Sequence, residues 1–275
     1  MRRPTRLLSI LWVLWLAVAA LACAQANPDF KPGGTGSDAF PDGPNRASDV
    51  GPGLADASAD SNGVELERGL VGHWPMEEGQ GASFEDRTSR ANDGSLTGVV
   101  WARPGAPLPA QGTACLEFNG SSWAQAPARG LPALGTAMTV SLWMRPKFGA
   151  TRTILTLLRE ASGSSPSAGF QIGTKDTQAA FWLFGGASMV VRSQALTSDV
   201  WYHVAYTFDG STHRLFVNAG EVASSSEASP TGPPTVVRFG TYGSATAQLY
   251  TGRLDDVRLY DRVLSAAEIT ALAKP

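Results

Sequence analysis

Residues Trp201 to Gly220 read WYHVAYTFDGSTHRLFVNAG. Across the first eight, two sets of side chains alternate. Trp201, His203, Ala205 and Thr207 share one side; Tyr202, Val204, Tyr206 and Phe208 share the other. A period of two is that of a strand with one face turned to a core. Asp209-Gly210 follows, then a second strand-like run from His213 to Val217, so the stretch reads as an antiparallel hairpin. Asn218-Ala219-Gly220 marks the next reversal. Gly220 is expected to take the left-handed position there, in a loop longer than two residues.

The same texture recurs on both sides of this hairpin. Thr139–Pro146 (TVSLWMRP), Ala179–Gly186 (AAFWLFGG) and Thr235–Gly243 (TVVRFGTYG) are rich in Val, Thr and aromatic residues and end in turn-formers. The whole pattern amounts to roughly a dozen strands. One segment departs from it. In SAAEITALA, Ser265 precedes an apolar helical run and Glu268 follows three residues later, the signature of a capping box. Many antiparallel strands and one short C-terminal helix define an all-β chain, an antiparallel β-sandwich or jelly roll. The hydrophobic content of 43% supplies a sizeable core. The net charge of −2, without basic blocks, argues against a nucleic-acid partner.

The two ends of the fold-bearing region differ. Arg2, Arg3 and Arg6 precede an apolar run from Leu7 to Ala22, which has the order of a secretory signal and is short for a membrane span. The boundary Ala20-Leu21-Ala22-Cys23 resembles a bacterial lipobox, which implies lipidation of Cys23. Plain cleavage after the A-x-A pattern is the alternative. Residues 23–63 hold six Asp against one Lys and one Arg, with few apolar groups, and read as a disordered Asp/Pro/Gly/Ser-rich tether. The expected organisation is a signal peptide at 1–22, the tether at 23–63 and one domain at 64–275. The expected location is the cell envelope, as an outer-membrane lipoprotein, with a periplasmic or secreted protein as the alternative. The membrane is then met only through the N-terminal lipid. Cys115, the other cysteine, reads as a small hydrophobe in a strand.

Five segments in order carry a family resemblance. They are Leu70–Gly98 (LVGHWPMEEGQGASFEDRTSRANDGSLTG), Ala114–Pro127 (ACLEFNGSSWAQAP), Met138–Pro146, Trp201–Gly220 and Gly252–Ile269 (GRLDDVRLYDRVLSAAEI). Together they resemble the LamG-like jelly-roll domain of the concanavalin A-like lectin/glucanase superfamily, over Leu70 to Leu272. The resemblance implies a noncatalytic module of a bacterial surface or secreted protein that binds glycans or other proteins. It also implies that a structural calcium ion is common. Two positions depart from the family: Ala219 and Arg90 stand where glycine is usual.

Glycan-cleaving relatives carry E-x-D-x-x-E on one strand, so that period two brings the acids to one face. This chain has no E-x-D, no G-x-S-x-G elbow, and three scattered histidines without zinc spacing. His203 reads as a packed structural residue. An enzyme is therefore not expected, and a glycan-cleaving activity is the least favoured reading. Calcium needs six to eight oxygens. The first loop offers Glu78, Asp86 and Asn92, and the last strand offers Asp255, which shares a face with Val257 and Leu259 and so points inward; the alternative is an Asp255 held by backbone N–H groups or by an arginine, with no metal. Asp256 falls on the opposite face with Arg258, as a surface ion pair. Trp123, Trp182, Tyr242 and Tyr250 lie near strand ends or loops and are the candidate sugar platforms. The expected partner is a glycan or a cell-surface protein.

Overall fold

A computed structural model describes residues 64–108, 113–149, 151–160, 168–184, 189–243 and 248–275. The signal, Cys23 and the tether lie outside the described residues. The sixteen strands among them are β1 (Leu70–Trp74), β2 (Ser83–Phe84), β3 (Gly94–Thr97), β4 (Val100–Ala102), β5 (Cys115–Asn119), β6 (Trp123–Pro127), β7 (Met138–Pro146) and β8 (Arg152–Arg159), then β9 (Ala168–Lys175), β10 (Gln178–Phe184), β11 (Met189–Ala195), β12 (Tyr202–Phe208), β13 (His213–Val217), β14 (Gly220–Ser225), β15 (Val236–Phe239) and β16 (Thr251–Tyr260). The helix α1 spans Ala266–Leu272, and its capping box is formed as the sequence predicts: Ser265 Oγ accepts the Glu268 N–H, and Glu268 Oε2 accepts the Ser265 N–H.

Two antiparallel sheets face each other. Sheet 1 has the order β14-β13-β12-β7-β16-β5-β4, with β1 also paired to β16; sheet 2 has the order β11-β10-β9-β8-β15-β6-β3-β2. Inward side chains of both sheets form one core, including Leu142, Met144, Val204, Tyr206, Leu254 and Val257 from sheet 1 and Leu155, Leu157, Phe170, Phe181, Val237 and Phe239 from sheet 2. Phe181 stacks on Tyr206 across it, with ring centroids 3.8 Å apart. The fold is thus an all-β antiparallel sandwich with one short C-terminal helix.

The outer face of sheet 1 is covered in part, over β12, β13 and β16. Ala205, Phe216 and Tyr260 pack there against Leu264, Ile269 and Leu272 of the helix region, a second and smaller apolar cluster. Trp143 Nε1 donates to Leu272 O at 3.3 Å. His203 lies on this face with Nε2 2.8 Å from Ser141 Oγ, and burial pulls its pKa down to about 4. It is a packed neutral imidazole, as the family resemblance implied.

Two turns differ from expectation. Phe208 pairs with His213, so the first hairpin loop has four residues, Asp209 to Thr212. Asp209 Oδ1 accepts the N–H groups of Ser211 and Thr212 and closes that loop. In the next turn Val217 pairs with Gly220, leaving a two-residue loop in which Asn218 and Ala219 take φ of 48° and 68°. Ala219, not Gly220, adopts the left-handed conformation, at a cost of about 1–2 kcal/mol. Packing of Ala219 against the helix cluster and the bond from His203 N–H to Asn218 Oδ1 hold it there.

The Asp255-Asp256 pair is corrected by the ladder. Along β16, Asp255 opposes Trp143 but Arg258 opposes Ser141, so one extra residue sits in β16, a β-bulge. Asp256 occupies it with φ of 42°. The bulge switches parity. Leu254 points to the core before it, and Val257 and Leu259 point to the core after it. Leu142 and Met144 also point inward, so Trp143 and its partner Asp255 face outward. Asp255 is buried all the same, because residues 104–106 cover it. Asp256 is no surface charge either: it is 2% exposed, accepts from His73 Nε2 at 2.8 Å and pairs with Arg258 Nε at 3.1 Å.

Replacing Asp256 by Asn removes the countercharge of a buried guanidinium. The expected result is a loss of about 3 kcal/mol in urea unfolding. A loss below about 1 kcal/mol would mean that the pair acts like an exposed one.

Candidate functional site

With α1 on the outside of sheet 1, the outer face of sheet 2 is the broad surface left to a ligand. Its strands dictate which side chains stand there. On β10, Ala179, Phe181 and Leu183 are core, so Ala180 and Trp182 face out. On β9, Phe170 and Ile172 are core, so Gln171 faces out. Pairing then sets one row across six strands: Trp182, Gln171, Thr156, Arg238, Gln125 and Ser95. At about 4.8 Å per strand, this row is roughly 24 Å long.

The chain after β15 returns over the row. Thr156 Oγ1 donates to Thr241 O at 2.8 Å. Thr153 Oγ1 and Gln171 Nε2 both donate to Gln248 Oε1, at 3.0 and 2.9 Å. These contacts satisfy three buried polar side chains on an outward face. Further along, Arg238 donates to Glu160 Oε1 through Nε at 3.1 Å and Nη2 at 2.7 Å, and to Gln125 Oε1 through Nη1 at 3.1 Å. The same guanidinium lies 5.5 Å from the Trp123 ring centre. Arginine, amides, hydroxyls and indoles are thereby fixed along one line.

The candidate platforms separate. Trp123 and Trp182, both half-buried, belong to this face. Tyr242 is half-buried in the returning segment, and desolvation raises the pKa of its hydroxyl. Tyr250 is corrected: it is fully buried in the core beside Phe118, with its hydroxyl donating to Arg253 O. Its ring is out of reach of a ligand. The sequence reading missed Gln125, Gln171, Arg238 and Gln248. The signal was present for two of them, since Gln171 and Arg238 interrupt otherwise apolar strands at outward parity.

The calcium donors do not gather. Asp86 Oδ1 accepts the N–H groups of His73 and Thr88, and Oδ2 accepts Thr88 Oγ1 and Asn92 N–H. Those four bonds fill the roughly four acceptor sites of a carboxylate. Asn92 exchanges both amide atoms with the Arg129 backbone. Glu78 Oε1 accepts the Glu85 N–H. Asp255 Oδ2 accepts the Ala106 N–H at 2.7 Å, and Oδ1 accepts its neighbour's N–H at 2.9 Å. Asp86 and Asn92 are brought together; Asp255 and Glu78 are bonded elsewhere. Among the described residues, no group of three or more His, Cys, Asp or Glu side chains is arranged to hold a metal. Asp86 staples its loop to β1 and Asp255 staples residues 104–106 to β16 through backbone groups, while Asn92 and Glu78 tie loop to loop.

Cys115 lies in β5, fully buried, with Sγ 3.6 Å from Ala102 O, and burial pushes its thiol up to about 12. It is a packing residue, not a nucleophile.

A family model described as the concanavalin A-like lectin/glucanases superfamily matches residues 118–270, more than half of the chain. The chain belongs to this superfamily. Its solved neighbours share the fold at low identity. Domain 4 of AbnA, a GH43 extracellular arabinanase from Geobacillus stearothermophilus solved with arabinotriose, aligns with a TM-score of 0.60 and 18% identity, over 74% of this chain and 98% of that one. The binding domain of paraclostridial mosquitocidal protein 1 aligns at 0.57 and 17%, over 74% and 52%. Trypanosoma rangeli sialidase in complex with sialic acid aligns at 0.57 and 19%, over 74% and 32%. Superfamily membership covers binding modules and enzymes alike, so it leaves function to the site. No curated protein sequence matches the chain.

The Asp255 pocket sets a pH dependence. Burial pushes the Asp255 carboxyl up to about 8, against the pull of the Ala106 N–H. Unfolded, the group ionises near 3.8. Its contribution to stability is therefore full below pH 4 and lost as pH rises towards 8, by up to about 1.4 kcal/mol per unit. Asp256 runs the opposite way: burial opposes its charge, but His73 and Arg258 hold its pKa below the usual range, so its contribution is lost as pH falls below about 4. Burial lowers the pKa of His203 and His213, so these add stability as pH rises towards 6.5 and offset Asp255 there. Urea midpoints are therefore expected to fall between about pH 6.5 and 8 in the wild type. Asp255→Asn is expected to gain stability with pH below about 6.5 and to lose little above it. Equal slopes in the two proteins would refute the assignment.

Proposed function

We propose that this chain is a noncatalytic carbohydrate-binding module of the cell envelope. The observation that carries the reading is the outer face of sheet 2, where the half-buried indole of Trp182 and the exposed amide of Gln248 stand over Thr156 and Gln171, which lie buried beneath the returning segment, and where Arg238 covers Trp123. Indole faces receive the C–H face of a sugar ring, and oriented amides meet its hydroxyls. The absence of catalysis is part of the same reading. None of the six residues in the row is a carboxylate, and Glu160 beside it is ion-paired with Arg238. Hydrolysis by the common route needs two carboxyl groups across one bond. The neighbouring arabinanase domain was solved with arabinotriose, which supports an oligosaccharide as the class of ligand. A protein-binding surface without a sugar site is the alternative, and the binding domain of the mosquitocidal protein on this fold favours it.

The leader and the Ala20-Leu21-Ala22-Cys23 boundary give this module its setting: export, then a lipid on Cys23 and a tether carrying the domain off the membrane. Palmitate is expected to label the wild type in a bacterial host and to be lost in Cys23→Ser; label retained in the variant refutes the anchor.

A glycan array probed with the full chain, with and without EDTA, tests the binding role. Binding to at least one glycan class is expected, unaltered by EDTA. An array blank in both conditions sinks the reading in favour of a protein partner.

A further inference from the structure

Trp123 and Trp182 stand on the same face but in different circumstances. The Arg238 guanidinium, held by Glu160 and Gln125, lies over Trp123, so that indole face already has its partner. Trp182 sits at the other end of the row, directly across the ladder from Gln171. Opposed side chains on one face of a sheet start about 5 Å apart. Gln171 is only 3% exposed, and it spends its amide nitrogen on Gln248 Oε1.

Gln248 is the unusual residue. It is exposed, yet its backbone has φ of 51°, a left-handed conformation that a glutamine rarely adopts. Three hydrogen bonds enforce it. The Thr153 N–H donates to its carbonyl at 2.8 Å, and Thr153 Oγ1 and Gln171 Nε2 donate to its side-chain oxygen. Such strain persists where the surroundings over-determine it, and it concentrates at ligand clamps. With Oε1 engaged twice, the group that Gln248 has to offer a ligand is its Nε2 amide, a double donor in a fixed place.

We infer that Trp182, Gln171 and Gln248 form the subsite that receives an uncharged sugar ring. Trp182 stacks on the C–H face of the ring, Gln248 Nε2 donates to a ring hydroxyl, and Gln171 with Thr153 positions Gln248. Trp123 serves as a structural clamp on Arg238. The ligand is neutral because none of these subsite residues carries charge, Arg238 is matched by Glu160, and Arg192, opposite Ala180 on β11, donates to Gln178 Oε1. This inference rests on the glycan-binding reading above and adds which ring is met, by which residues, and with what charge.

Calorimetry on the full chain tests it, with arabinotriose, xylotriose and cellotriose as neutral probes and a uronic-acid trisaccharide as the anionic one. A neutral probe is expected to bind, with an affinity unmoved when sodium chloride rises from about 0.05 to about 0.5 M. Trp182→Ala is expected to weaken it by at least about tenfold. Gln248→Glu keeps the acceptor oxygen for Thr153 and Gln171 but loses the donor. It is expected to melt with the wild type and to bind about tenfold more weakly. Trp123→Ala is expected to stay within about threefold. Wild-type affinity in Trp182→Ala or Gln248→Glu overturns the subsite but leaves the glycan reading intact, as does salt-sensitive preference for the anionic probe. A wild type that binds no saccharide overturns both. If Trp182→Ala fails to fold, Gln248→Glu decides alone.

Discussion

Asp255 accepts the Ala106 N–H and Asp256 accepts the His73 Nε2–H, and both bonds depend on the extra residue in β16. Without the bulge, one of two adjacent carboxylates would be forced into the apolar core by period two. With it, both turn to the outer side, where one captures the segment before β5 and the other captures β1. The cost of desolvating two acids is offset differently at each. Asp256 keeps its charge, matched by Arg258 and bonded to His73, whereas Asp255 is driven towards its protonated form by burial. Sheet 1 is thus centred on a strand whose irregularity is its means of attachment, and α1 closes over the same face.

That closure has a counterpart on sheet 2. A sandwich buries the inner faces of its sheets, and here a short helix covers part of one outer face as well, over β12, β13 and β16. The remaining face is worked by the returning segment at Thr241 and Gln248, which satisfies the hydroxyls and amides of outward positions. Rigid strands and the bonded Thr153 and Gln171 therefore hold Gln248 in one orientation. Such preorganisation reduces the conformational entropy lost on binding.

How much of this the residues disclosed varies with the range of the interaction. The capping box at Ser265 and Glu268 is decided within four residues and was legible. So was the hairpin at 201–220, because alternation needs no partner to be seen. The parity of Asp255 was not, since the bulge is defined by what stands opposite on β7 and LDDV carries no local mark of it. Tyr250 looked like a loop aromatic because its burial comes from Phe118, far away in sequence. Asp86 looked like a metal ligand because its four donors are backbone or hydroxyl groups, which composition does not reveal. Gln248 was invisible for the same reason: its conformation is imposed by β8 and β9.

The central place of β16 bears on when this protein can become itself. Leu70 pairs with Tyr260, so the first strand of the domain waits for the last. Strands β1, β5 and β7 all border β16, and until that segment has left the ribosome sheet 1 lacks its middle. Vectorial folding from the N-terminus is therefore denied to the chain, and long-range pairing of this kind is intrinsically slow. A polypeptide emerging residue by residue leaves sheet 1 open until β16 arrives.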